Sequence, residues 1–302
     1  MASFRAKKAL GQNFISDPGI ISAIADASCA GPRDTVVEIG PGLGALTCEL
    51  AERAAKVCAV ELDTTVIPLL KGNLAGAQNV EVINEDILKF DWSRVESDGA
   101  LRIVGNLPYY ITTPILLGIL EKGVPAESIT AMVQKEVADR IVASPGGRDY
   151  GVLSISLQYY AECRKVLDVP AKYFTPRPKV DSAVVHMSLK NSRLLAPAEE
   201  PQFFAIIKTA FSQRRKTLLN SLKGFNPVLS AGCGSSGATV SGGSGPFGDT
   251  LSAAHGAAKT SAPLAKNQAA ALLAAAGIDP QRRPETLSIE EFAALSRALK
   301  AL

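Results

Sequence analysis

The sequence predicts an α/β fold built on a parallel sheet, followed by a small all-α C-terminal domain. Three observations carry this expectation. Short β-rich apolar runs alternate with helical segments through the first half of the 302 residues, which is the signature of βαβ units. The first of those runs ends in the glycine-rich turn "EIGPGLGAL", where a strand hands over to its helix. Beyond about residue 190 the apolar residues recur at helical spacing with a basic outer face, as in "EEPQFFAIIKTAFSQRRKTLLNSLKGF".

In chain order, Asp17 followed by Pro18 reads as a helix N-cap and first helical position ahead of "GIISAIADAS". Strands are expected at 35–39, 56–60, 80–83, 102–104 and 129–133. Between them "GALTCELAERAA" and "TTVIPLLKGNL" have helical character, and "VDSAVVHMSL" reads as a later strand. After 190, "QAAALLAAAGI" and "SIEEFAALSRAL" are expected helices, the second opened by Ser288 as cap with Glu291 three residues on. The domain expectation is therefore a ligand-binding domain over 1–190 and a helical domain over 191–302. The latter is interrupted at about 225–263, because residues 224–256 hold nine glycines and six serines. Such a stretch buries too little apolar surface to offset its ordering entropy, and it reads as a flexible insertion.

Composition narrows the class. Hydrophobic residues are 47% and charged residues 20%, an ordinary globular balance. The five cysteines show no CxxC spacing, which fits a reduced, cytoplasmic setting. With only His186 and His255, no histidine metal centre is expected. The basic start "MASFRAKKALGQNF" has no apolar stretch after it, so no signal peptide is read. No apolar run reaches the roughly 18 to 20 residues that a membrane span needs. Net charge is +3, but unevenly spread: residues 1–150 hold 14 Lys/Arg against 19 Asp/Glu, and residues 151–302 hold 18 against 10. The basic second half suits a polyanion partner; its plainer reading is a solvated basic face.

The chemistry gathers at the strand ends. Glu38, Gly40, Gly42 and Gly44 stand where the first strand turns into its helix, and glycines there let a ligand approach the backbone. The spacing also satisfies G-x-G-x-x-A through Ala45, so this motif alone leaves a nicotinamide or flavin enzyme open. Glu61 ends the second strand 21 residues after Gly40, where a carboxylate accepts from ribose hydroxyls. Asp86 ends the third and can accept from an adenine amine. The fourth ends in Asn106-Leu107-Pro108-Tyr109. A turn explains the Asn and the Pro, but not the tyrosine pair. A nucleoside site facing such a loop suggests S-adenosylmethionine as methyl donor and an adenine N6 as acceptor. The Asn106 side-chain oxygen and the Pro108 carbonyl are expected to take the two N6 hydrogens, with Tyr109 stacked on the base. A base reached in this way has left its stack or is single-stranded.

With these segments in view, the chain resembles the ribosomal RNA adenine-N6 dimethyltransferases, on the branch that acts on the bacterial small subunit. The resemblance runs through "KKALGQNFI", "VVEIGPGLGALT", "AVELD", "NED", "GNLPYYITTPIL", "VQKEVADRI", "YFTPRPKVDSAVV", "AFSQRRKTLLNSL" and "GIDPQRRPETLSIEEF". It covers nearly everything except about 225–263. It implies a Rossmann-like class I methyltransferase sheet of seven strands, the last antiparallel, followed by a small helical domain that docks on RNA and ribosome. It implies cofactor contacts at Asn13, Ile15, Gly40, Glu61, Asp86 and Asn106, with Gln12 close by. It further implies a catalytic loop from Asn106 to Tyr109, and Phe174 helping to hold the target adenine. The implied substrate is a pair of adjacent adenosines in the 3′-terminal hairpin loop of 16S rRNA, each methylated twice during small-subunit assembly.

The residues support part of this independently. Arg177 and Lys179 beside Phe174, Pro176 and Pro178 make an aromatic and basic loop suited to base stacking and phosphate contact. Arg214, Arg215 and Lys216 are expected as a cationic patch on a helix, and Arg5, Lys7 and Lys8 as weaker phosphate contacts. No metal is expected, and nothing demands more than a monomer. Three rivals remain open. A large-subunit adenosine methyltransferase would more often carry Ile than Leu before the proline. An assembly checkpoint that acts by occupying the immature small subunit can coexist with catalysis. A dinucleotide oxidoreductase has no use for Tyr109 or "FTPRP".

Overall fold

The computed structural model describes Lys7 and residues 11–213, 215–227 and 262–300. The predicted glycine- and serine-rich insertion lies outside the described residues from 228 to 261, as do Arg5, Lys8 and Arg214. The chain groups into two compact units, Met1–Val142 with Ala161–Lys190, and Ala143–Tyr160 with Asn191–Leu302. Residues 143–160 thus fall with the C-terminal segment.

The first unit opens with β1 (Phe14–Ile15) and α1 (Pro18–Ala27). As expected, Asp17 caps α1, accepting from the Ile20 N–H at 2.9 Å. Then β2 (Thr35–Ile39), α2 (Ala45–Ala51), β3 (Lys56–Glu61), α3 (Ile67–Asn73), β4 (Val80–Asn84), β5 (Leu101–Asn106), α4 (Thr112–Glu121), β6 (Ser128–Gln134) and α5 (Lys135–Ile141) follow. All five residues of β2 are buried. Since successive side chains point to opposite faces, the sheet is covered on both sides. Ile24, Leu50, Val36, Val57 and Val104 form the core beneath α1 and α2.

After α6 (Val152–Tyr160), which belongs to the second unit, the first unit is completed by β7 (Ala161–Val169), β8 (Phe174–Thr175) and β9 (Ser182–Leu189). The main sheet has seven strands in the order β4-β3-β2-β5-β6-β9-β7. Strands β4 through β6 are parallel, and β9, the last in chain order, runs antiparallel between β6 and β7. A separate pair, β1 and β8, ties Phe14 to Thr175 and Ile15 to Phe174. The strand order reverses at β2, whose neighbours are β3 on one side and β5 on the other. That switch point, at the carboxyl ends of β2 and β5, is where open α/β sheets bind ligands.

Gly105, next to that crevice, has no room for a side chain. A Cβ there would lie 2.7 Å from the Ile39 carbonyl oxygen and 3.1 Å from a Leu107 methyl. Ile39 is its partner in the β2–β5 ladder. Gly105→Ala therefore has to part the two strands that carry the site. The expected cost is about 1–3 kcal/mol, read as a lower urea midpoint together with reduced activity.

In the second unit, α6 packs on α7 (Glu200–Ala210), which also meets α8 (Leu218–Leu222) and α10 (Ile289–Lys300); α9 (Lys266–Ala275) joins α8 and α10. Tyr159 and Phe203 pack ring to ring at a tilt, with centroids 4.9 Å apart, next to Tyr160 and Phe204. Into this aromatic cluster the chain buries Glu200, which accepts from the Tyr159 hydroxyl at 3.1 Å and the Arg193 guanidinium at 2.9 Å. A buried carboxylate needs such partners. Ser288 and Glu291 form the expected reciprocal cap of α10.

Candidate active site

The carboxyl ends of β2, β3, β4 and β5 border one cavity of about 230 Å³ in the first unit. Gly40, Gly42 and Gly44 all have positive φ (68°, 58° and 89°), which L side chains seldom adopt. Gly42 is further fixed by contact: a Cβ there would lie 2.7 Å from the Phe14 ring. Phe14 and Ile15 of β1 thus close one side of the cavity over the glycine turn, and Asn13 stands beside them.

Glu61 ends β3 and is buried, with each carboxylate oxygen held by the backbone. One accepts the Gly42 N–H at 3.1 Å and the other the Asp63 N–H at 2.8 Å. Burial raises its pKa above the ordinary carboxylate range, against these two bonds. Asp86, half-buried at the end of β4, accepts from the Leu88 N–H at 3.0 Å and lines the same cavity. Asp63 is the anchor behind them. Its carboxylate takes the Lys7 ammonium at 2.8 Å, the Gln12 amide at 2.9 Å and the Thr65 hydroxyl at 2.7 Å. Burial opposes ionisation, but these partners win and hold Asp63 well below the usual range.

Across the crevice, Asn106 donates from Nδ2 to the Asn13 carbonyl at 2.9 Å, joining the β5 end to the segment before β1. Its Oδ1 is left to accept. The role expected for Pro108 needs correction. The Pro108 carbonyl already accepts the Ile111 N–H at 3.1 Å and the Thr112 hydroxyl at 3.0 Å, where α4 begins. Both lone pairs are engaged. The Leu107 carbonyl, one residue earlier, carries no hydrogen bond among the described residues, and Leu107 lines the cavity. Tyr109 is half-buried, its hydroxyl 2.7 Å from that of Ser182 at the start of β9. This pins the loop 176–181 beside Tyr109. Arg177 and Lys179 on that loop are exposed and make no ion pair among the described residues.

Two other expectations change. Phe174 is 3% exposed, packs in the core with Val169 and Val184, and does not line the cavity. Its ring sits in the core behind the β1–β8 pair in this structure. Arg215 and Lys216 are exposed, but in the connection between α7 and α8 and not on a helix, because α7 ends at Ala210. Sequence reasoning also passed over Phe14, Leu43, Leu62 and Ile87, the apolar wall of the cavity. Leu62 and Ile87 directly follow the acidic strand ends, and Leu62 is 50% exposed. That adjacency is the signal that could have found them.

Glu38 was marked by the motif without a role. It is 2% exposed, lines the cavity, and its Oε2 has no hydrogen-bond partner among the described residues. Burial, with Glu61 nearby, pushes its pKa from 4.5 up to about 7. A raised carboxyl pKa stabilises the fold below the unfolded value and loses that contribution as pH rises to the folded one. Wild-type stability is therefore expected to fall relative to Glu38→Gln between pH 4.5 and 7, by about 3 kcal/mol in all. Urea melts of both proteins across that window measure it; parallel curves would contradict the assignment.

The cavity offers a nucleoside two acidic acceptors and an apolar wall on one side, and offers an amine the Asn106 amide and a carbonyl on the other. A crevice of this kind at the switch point of a seven-stranded sheet defines the Rossmann-like methyltransferases. Within that class the chain belongs to the ribosomal RNA adenine dimethylase family, whose model matches residues 3–230. It is 43% identical over 301 residues to the ribosomal RNA small subunit methyltransferase A of Shouchella clausii, covering 98% of this chain and 90% of that one. To the protein of the same name from Desulfitobacterium hafniense it is 46% identical, covering 98% and 92%. The fold matches a dimethyladenosine transferase from Plasmodium falciparum with TM-score 0.71 and 24% identity, over 93% of this chain and 95% of that one. It matches the 23S rRNA methyltransferase ErmE with TM-score 0.65 and 25% identity, over 95% and 100%.

Proposed function

We propose that the chain dimethylates N6 of two adjacent adenosines in the 3′-terminal hairpin loop of 16S rRNA during small-subunit biogenesis, using S-adenosylmethionine. The observation that carries the chemistry is the Asn106–Tyr109 loop, whose Asn106 Oδ1 and Leu107 carbonyl both stand available at the cavity. The near full-length likeness to small-subunit methyltransferases supports the substrate.

The cavity suits the donor on its own geometry. Glu61 is set to accept from the ribose hydroxyls, Asp86 from the adenine amine, and Gly40 lets the chain approach closely beside Asn13 and Ile15. The buried Glu38 carboxyl, whose Oε2 has no hydrogen-bond partner among the described residues, suits a cationic ligand. S-adenosylmethionine supplies a methyl group on a sulfonium centre. An adenine N6 is a poor nucleophile because its lone pair is delocalised into the ring. Accepting its two hydrogens at Asn106 Oδ1 and the Leu107 carbonyl lets the nitrogen pyramidalise and directs its lone pair into the cavity. Tyr109 supports the base. The contribution is orientation and exclusion of water, with no strong general base required.

Arg177 and Lys179 are proposed as phosphate contacts beside the site. Arg215 and Lys216, with Arg214 outside the described residues, are proposed for the helical portion. In this reading residues 1–190 carry catalysis and 191–302 dock on the subunit. The protein works as a cytoplasmic monomer without a metal. Among the described residues no helix is long and apolar enough to cross a membrane.

The test supplies tritiated S-adenosylmethionine with immature small subunits, mature small subunits and large subunits from an unmethylated strain, followed by nucleoside analysis. Dimethyladenosine confined to small-subunit rRNA is expected. Label in the large subunit would replace the substrate, and no label anywhere would leave a binding role in assembly.

A further inference from the structure

Tyr110 is the most exposed large apolar side chain among the described residues, at 57%, and it lines the mouth of the methylation cavity. Single exposed aromatics are common and ordinarily need no explanation. This one is not a loose surface residue. Its ring edge lies 3.4 Å and 3.5 Å from where a Cβ on Gly11 would stand, with the Pro108 ring 3.7 Å from the same point. Gly11 itself sits at φ 62°, a backbone conformation that favours glycine, and its backbone runs beside the tyrosine ring. The ring is thus seated along one edge. Its hydroxyl has no hydrogen bond among the described residues.

Its neighbour differs on each count. Tyr109 is half-buried and hydrogen-bonded to Ser182, so it is fixed inside the cavity. Consecutive residues therefore present one aromatic ring within the site and one at its rim. A methylated base must leave its stack, and the base beside it then loses a stacking partner. A seated aromatic at the rim can replace that partner.

Resting on the functional reading above, we propose that Tyr110 is a stacking platform for the nucleotide next to the target adenosine, and so helps position the neighbouring adenosine while its partner is methylated. Stacking of a base on an aromatic side chain is sequence-tolerant, while its position one residue from the catalytic loop makes it sensitive to the neighbour's placement. Base–aromatic stacking contributes about 1–3 kcal/mol per base, so its loss is worth roughly 5- to 150-fold in affinity.

The test compares wild type, Tyr110→Ala, Tyr110→Phe and Tyr110→Trp as full chains on immature small subunits lacking the modification. Three readouts are taken: KM for subunits, the affinity for S-adenosylmethionine by calorimetry, and the methyl count on each adenosine. Tyr110→Ala is expected to raise the subunit KM at least 5-fold and to skew the methyl count toward incompletely modified pairs. Cofactor affinity should stay within 2-fold, and Phe and Trp should restore the subunit KM. An unchanged subunit KM in Tyr110→Ala overturns the proposal. So does an equal loss of cofactor affinity, which would make Tyr110 a wall of the donor site. The wild-type arm tests the functional reading separately: no label on the small-subunit adenosines from wild type would overturn that reading, whereas wild-type label with an unchanged subunit KM in Tyr110→Ala overturns the Tyr110 proposal alone.

Discussion

Asn106→Ala is expected to lower methyl transfer by about 10²–10³-fold, the range seen when one preorganised hydrogen-bonding group is removed from a reacting centre. Cofactor affinity should fall only a few-fold. The reason lies in what the amide does on its two sides. Nδ2 is committed to the Asn13 carbonyl at 2.9 Å, which orients the group and leaves Oδ1 to take an N6 hydrogen. Alanine removes both functions, so the adenine amine keeps its lone pair in the ring and the reacting atoms lose alignment. The donor retains Glu61, Asp86 and the glycine turn, and binding persists. Asn106→Asp separates the two functions, because it keeps an acceptor but has no N–H for Asn13. Single-turnover transfer to immature subunits, with calorimetry for the cofactor, measures both. Near-normal transfer by Asn106→Ala would remove Asn106 from the reaction.

The same loop shows where the sequence stops being legible. The strands at 35–39, 56–61, 101–106 and 128–134 match the apolar runs closely, because parallel strands buried on both faces are largely apolar. Strand β4, at 80–84, lies at the sheet edge and is only half-buried. The β7 edge strand was not anticipated. Its exposure alternates along "AECRKVLDV", with Glu162, Arg164 and Asp168 among the outer positions, and charges scattered along both faces mask its strand pattern. The helical spacing read along "EEPQFFAIIKTAFSQRRKTLLNSLKGF" resolves into two helices, α7 ending at Ala210 and α8 beginning at Leu218, and nothing in the periodicity announced the break.

The polar site residues were legible because each ends a strand. Their partners were not. Which carbonyl of Asn106-Leu107-Pro108-Tyr109 stays available depends on how α4 starts, and α4 takes the Pro108 carbonyl through Ile111 and Thr112. The placement of Phe174 in the core behind the β1–β8 pair was likewise not legible in "FTPRP". Sequence motifs identify the groups that do chemistry. Backbone hydrogen bonding and packing decide which of them face the ligand.

Glu61→Ala carries the second large effect, a loss of S-adenosylmethionine affinity of roughly 10²–10⁴-fold. Hydrogen bonds to a charged group contribute about 1.5–3 kcal/mol each, and the carboxylate is proposed to make two to the ribose diol. The substitution also strands two buried donors, since the Gly42 and Asp63 N–H groups both rest on this carboxylate. The melting temperature should therefore fall as well, and Gly42, which touches Phe14, should lose its fixed position. Glutamine is not a conservative control here. Either amide orientation sets an N–H₂ against one of those backbone N–H groups, donor against donor. Affinity alone cannot separate ribose recognition from this structural loss, but a ratio can. Wild type should bind S-adenosylhomocysteine far more tightly than its 2′-deoxyribose analogue, because a site built to accept from a hydroxyl discriminates strongly against its absence. In Glu61→Ala the two affinities should converge. If the variant weakens both ligands equally and keeps the wild-type ratio, the ribose does not lie on Glu61, and the carboxylate serves only to hold the glycine turn.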